Sequence, residues 1–139
     1  MPTEREAYDE ICAYTLTHGD PGFIHQHVVD AWAAQHATKD GKPIGITFAL
    51  AGLYLHIECH YSGRAVQRVH MQMAKQKRTW PNFVLPTNRG PVTALDVLAA
   101  PPGDERDRAI HSWAESVWRA FADSNRQIVI GLLKEYGLA

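Results

Sequence analysis

The sequence predicts an all-α fold, a single-domain bundle of about five helices with one proline-rich extended segment. Two observations carry it. Capping signals stand ahead of apolar residues recurring at helical spacing, and three prolines and a glycine gather in one stretch that cannot be helix. A chain of 139 residues fits one domain, 1–139, and at that length roughly two thirds of the unfolded surface is buried on folding, enough for a core without staples.

Helix one opens at Thr3, whose hydroxyl pairs with Glu6 in a T-x-x-E capping box, and continues through Tyr8, Ile11, Cys12 and Thr15. It stops at His18-Gly19. Asp20-Pro21 then restarts the chain as N-cap and first-turn proline of helix two, about Pro21 to Ala37. Around that helix Phe23, His27, Ala31 and Ala34 share one side and His25, Val29, Trp32 and His36 another, which leaves Gln26 and Asp30 as the wet strip. After the polar turn ATKDGKP, helix three runs to about Tyr61, apolar nearly all round and therefore the most buried element. Gly45, Ala49 and Gly52 form a small-residue stripe open to a close neighbour, and His56 and His60 continue it.

Ser62 caps helix four, GRAVQRVHMQMAKQKR, in which Val66, Val69 and Met73 make an apolar stripe bordered by His70, opposite a solvated basic face. TWPNFVLPTNRGPV lies extended over a bundle edge as a lid or a cover. Thr93 and Asp96 open a short helix, TALDVLAA, ended by Pro101-Pro102-Gly103. A last helix starts at Asp104, carries Ile110, Trp113, Val117, Phe121, Ile128 and Leu132 at core spacing, and is expected to bend near Ser124-Asn125.

Composition removes several function classes. With 14 basic against 15 acidic side chains the net charge is -1, so no field draws nucleic acid or an anionic membrane. The longest apolar run, Ile44 to Leu55, is too short to span a bilayer. MPTEREAYDE has neither a basic start nor an apolar stretch of a secretory leader, so a cytoplasmic location is the expectation. Cys12 and Cys59 are too few for a disulfide scaffold.

The chemistry lies in the histidines. Five of them, His25, His27, His56, His60 and His70, fall in three consecutive predicted core helices. His56 and His60, four apart, would project side by side and hold one ion through two ring nitrogens, with a third or fourth ligand from a neighbouring helix. His25 and His27 point about 160° apart, so one of them serves a site and the other does not. His27 is favoured, with Asp30 orienting its ring. HIECH is neither HExxH nor HxxEH, and Glu58 falls on the far side of the helix from both rings, so a metalloprotease base is excluded. His18 suits a helix C-terminus, and His36 and His111 read as partly exposed surface positions.

The runs CAYTLTHGDPGFIHQHVVDAWAAQH, KPIGITFALAGLYLH, GRAVQRVHMQMA, TWPNFVLP and VTALDVLAAPPG resemble a family of uncharacterised bacterial proteins over nearly the whole chain. That resemblance implies a small stand-alone domain and transfers no catalytic residue. In architecture alone, histidines gathered from several helices resemble DinB-like metal-binding bundles, without a shared motif. The expectation is a divalent transition metal, zinc first, held by His27, His56, His60 and His70 in a small-molecule hydrolase or transferase. The rival expectation is a metal-free module that dimerises or binds a protein through Trp113, Trp118, Phe121 and IVIGLLKEYGLA.

Overall fold

The computed structural model describes residues 2–76 and 79–137, and among these every regular element is an α-helix. Six follow in order: α1 (Glu4–Thr17), α2 (His25–Gln35), α3 (Pro43–Ile57), α4 (Gly63–Ala74), α5 (Ala94–Ala99) and α6 (Asp104–Glu135). α2 packs on α1, α3, α4 and α6, α3 also meets α4 and α6, and α5 closes over α1 and α6. None of the described helices is long and apolar enough to cross a membrane.

The apolar periodicity becomes the core. α3 buries Ala49, Leu50, Ala51, Leu53 and Leu55 around its whole circumference, and α6, packed on both α2 and α3, buries Ile110, Trp113, Trp118 and Phe121. Each such large side chain contributes about 1.5–3 kcal/mol on leaving water. Trp113, Trp118 and Phe121, expected as anchors of an interface, are therefore inside this chain's own core, with Val129, Leu132 and Leu133. Leu138 and Ala139 lie outside the described residues, as do Lys77 and Arg78 of the basic face.

The caps explain where the helices start. Thr3 and Glu6 make the reciprocal box on α1, Ser62 Oγ accepts the Ala65 N–H at 3.1 Å on α4, and Asp96 Oδ2 accepts the Thr93 N–H at 2.8 Å on α5. Three boundaries differ from expectation. α2 begins at His25 rather than near Pro21, because Asp20 binds the turn before the helix instead of capping it: Oδ1 accepts from Gly22 N–H and Oδ2 from Ile24 N–H, both at 2.9 Å. α3 ends at Ile57, so His60 lies beyond it, at φ +60°, and does not sit one turn above His56. α6 continues as one helix of 32 residues through Ser124 and Asn125.

Asn125 also fixes the extended segment. Wholly buried, it donates from Nδ2 to the Val84 and Phe121 carbonyls, at 2.8 and 3.0 Å, while its Oδ1 accepts the Val84 N–H at 2.8 Å. Arg89 closes the other end of the segment with bonds to the carbonyls of Gln35, Ala37 and Pro86. The segment is thus a pinned cover. Asn125→Ala strips both main-chain groups of Val84 of partners; since Val84 is half exposed, water recovers part of the loss, and urea unfolding is expected to show a cost of about 2 kcal/mol.

The strip carrying Gln26 and Asp30 is not wet. Asp30 is 3% exposed, bonded by Gln26 Nε2 at 3.1 Å, and its Oδ2 lies so close to Gly52 that a Cβ there would be 2.0 Å away. The small-residue stripe on α3 explains this: at Gly52 it lets α2 close down until even a carboxyl group is covered. Burial raises the Asp30 carboxyl well above the ordinary aspartate range, against the smaller opposing effect of the Gln26 hydrogen bond. It does not orient His27.

Candidate functional site

The end of α3, the corner before α2, the start of α4 and the first turns of α6 enclose a cleft of about 430 Å³. Its walls are set by main-chain contacts. Gly63 at the start of α4 is pressed on the corner so tightly that a Cβ would lie 1.8 Å from the Phe23 carbonyl oxygen, and the Arg64 N–H donates to the Gly22 carbonyl at 2.8 Å. At the α3 end, Glu58 ties to α6, its carboxylate accepting from Trp118 Nε1 at 2.8 Å and from Arg126 Nε at 2.8 and 3.0 Å, away from the cleft. Among the described residues Phe23 and His60 are the non-glycine positions with positive φ, and they flank this cleft. Such conformations cost about 1–3 kcal/mol each and persist only where surrounding contacts enforce them.

Three imidazoles from three helices meet in the cleft. The His27 and His56 rings stack with centroids 3.4 Å apart and planes within 12°, and His111 meets His56 edge-on. His56 has a defined tautomer: the Tyr61 carbonyl 3.0 Å from Nδ1 only accepts, so Nδ1 carries the proton and Nε2 holds a lone pair. That lone pair faces His111 Nδ1 at 3.2 Å. His60 lies on the exposed rim.

Burial first, and then the neighbouring imidazoles, oppose protonation of His27 and His56. His27, 4% exposed, is pushed down to about 3 first by burial and then by the neighbouring His56 and His111. Its Nδ1 has no hydrogen-bond partner. His56 is lowered chiefly by burial, with the Tyr61 carbonyl opposing and His111 and His60 adding to the shift. Unprotonated imidazoles are what a metal or a proton-accepting site needs.

The other two histidines of the expected set lie elsewhere. His25 Nδ1 is 2.9 Å from the Thr15 hydroxyl, on the α1 side of α2, so of the pair in FIHQH it is His27 that reaches the cleft. His70 Nε2 donates to the Phe48 carbonyl at 2.8 Å, and that nitrogen therefore carries a proton in place of a lone pair. In their place stands His111, read from the sequence as a surface position. A signal for it exists: Asp107, His111, Ala114 and Trp118 form one stripe of α6, and the last two are buried. His111 ends its upper part, exposed in fraction but in contact with the site.

Two carboxylates, Asp20 and Asp107, complete the polar lining, beside Ile24 and Ile110. As the side chains stand, no three His, Cys, Asp or Glu among the described residues surround one point at ligand distance. His27 cannot share an ion with His56 in this orientation, because ring lone pairs lie in the ring plane and the two planes are stacked. The pair that converges is His56 Nε2 and His111 Nδ1.

Fold and site together define a single-domain helical bundle with an imidazole-lined cleft between its helices. The chain belongs to a family of unknown function, DUF5946, which matches residues 5–122 and so takes in α1 to α5 and the first part of α6. No curated protein and no solved structure matches it.

Proposed function

We propose that the cleft is a divalent transition-metal site, zinc above others, centred between His56 Nε2 and His111 Nδ1. One observation carries it: two imidazole nitrogens from different helices, one with its lone pair fixed by a carbonyl on the opposite nitrogen, stand 3.2 Å apart. Two nitrogens held at about 2.0–2.1 Å around a tetrahedral zinc are separated by roughly 3.3 Å. A carbonyl on the far ring nitrogen is also the usual way a ligating histidine is oriented. Without metal, His111 Nδ1 donates to His56 Nε2; with it, His111 takes its other neutral tautomer and both nitrogens turn lone pairs to the ion.

Two imidazoles leave coordination positions for cleft-wall donors, water and substrate. A bound water whose pKa falls to about 7 is a nucleophile at neutral pH, which makes a small-molecule hydrolase or transferase the activity that fits. Of the anchors a metal-free interaction module would use, Trp113, Trp118 and Phe121 are buried in this chain's own core.

Equilibrium dialysis of chelator-stripped protein against zinc, nickel, iron(II) and copper, with elemental analysis, tests the site. One equivalent of zinc is expected in the native chain and in His25→Ala and His70→Ala, and a large loss in His56→Ala and His111→Ala. Native protein that holds no more metal than the His56→Ala, His111→Ala double variant refutes the proposal.

A further inference from the structure

We infer that Asp107 is the carboxylate ligand of this centre, completing a two-histidine, one-carboxylate set with His56 and His111, and that the Tyr14 hydroxyl is its positioning group. This rests on the metal site proposed above. Asp107 lies four residues before His111 on α6, and side chains at that spacing stand side by side with Cβ atoms roughly 5–6 Å apart, a common way for one helix to give two ligands to one ion. Both line the cleft that His56 enters.

The bonds of Asp107 prepare it for the role. Its Oδ1 accepts the Tyr14 hydroxyl proton at 2.7 Å, and the Tyr14 oxygen in turn accepts the Gly103 N–H at 3.0 Å, so the donor is itself held in place. Oδ2 lies 3.8 Å from His18 Nε2, within ion-pair reach but beyond hydrogen-bond length. One oxygen is thus oriented while the other is available, and a side chain one third exposed has room to turn it toward an ion. Asp20, the rival carboxylate, has both oxygens engaged by main-chain N–H groups, and using it would undo the corner before α2. Charge gives the same preference: an imidazole that ligates an ion does so in its neutral form, and a divalent ion beside Ile24 and Ile110 is poorly compensated without an anionic ligand. Two histidines with one carboxylate are a ligand set of zinc hydrolases and of iron(II) sites, with positions left open for water or substrate.

Zinc and cobalt(II) titrations of stripped protein, by competition with a chromophoric chelator and by the cobalt visible spectrum, test the assignment. Asp107→Asn, which keeps shape and loses charge, is expected to weaken zinc on the order of 100-fold and to change the cobalt spectrum. Tyr14→Phe is expected to weaken it about 10-fold. Asp107→Glu should recover part of the affinity, and His60→Ala should stay within about 3-fold of native. Thermal unfolding of each variant confirms the fold. Native protein that binds one zinc alongside an Asp107→Asn variant with the same affinity and spectrum overturns this inference alone. Native protein that binds none overturns it together with the site it rests on.

Discussion

Gly63→Ala is expected to lower stability by about 3 kcal/mol or more, on the order of 10 °C in Tm. The added methyl group would stand 1.8 Å from the Phe23 carbonyl oxygen and 2.7 Å from its carbon, so no rotamer change relieves it. Either α4 lifts from the corner or the corner moves, and in both cases the Arg64 to Gly22 bond that joins them is lost. Two other glycines calibrate the effect. At Gly52 a Cβ meets the end of the Asp30 side chain, which can shift only within a filled interior, and about 1–3 kcal/mol is expected. At Gly45 nothing lies within 4 Å, and alanine in that helical position is expected to stabilise by roughly 0.5–1 kcal/mol. Thermal and urea unfolding of the three variants should give that order, and a Gly63→Ala protein within 1 kcal/mol of native would show that corner and helix separate without cost.

Those glycines also show what the sequence could and could not disclose. Gly45, Ala49 and Gly52 announce a close neighbour, and α2 does approach there, yet spacing cannot tell that Gly52 is covered and Gly45 open. Helix starts were legible because a hydroxyl or carboxylate cap is a local event between residues three apart, as at Thr3, Ser62 and Thr93. Asp20 carried the same signal and had a different use, since its carboxylate serves a turn held by α4, far along the chain, through the Arg64 to Gly22 bond. The site was half legible for the same reason. His27 and His56 announce themselves as imidazoles on apolar helices. His111 reaches His56 across 55 residues of sequence through packing of α6 on α3, and only the buried Ala114 and Trp118 farther along its stripe mark it, since its own exposure reads as surface. His60 misled because it lies past a helix end that apolar periodicity does not register.

Acidifying the metal-free protein from pH 7 toward pH 3 is expected to remove stability largely through His27. In the unfolded chain this ring takes up its proton near 6.5, whereas in the fold, deprived of water and facing His56 and His111, it does so only near 3. Between those values the unfolded state binds more protons, so stability is full above about pH 6.5 and is lost as pH falls toward the folded value. The loss due to this ring is about 2 kcal/mol by pH 5 and about 5 kcal/mol at full expression. His25, His56 and His70 are lowered as well and act with the same sign. Asp30 opposes them: its carboxyl is raised, so the folded state holds that proton first, and stability rises as pH falls through the folded value toward 3.8. Urea midpoints at pH 7, 6, 5 and 4 with EDTA present separate the two. His27→Phe, which keeps a ring on His56 and cannot ionise, should flatten the acid slope, and Asp30→Asn should steepen it. Equal slopes in native and His27→Phe protein would mean that the ring takes up its proton at the same pH in the fold as in the unfolded chain, so that burial beside His56 does not hold it neutral.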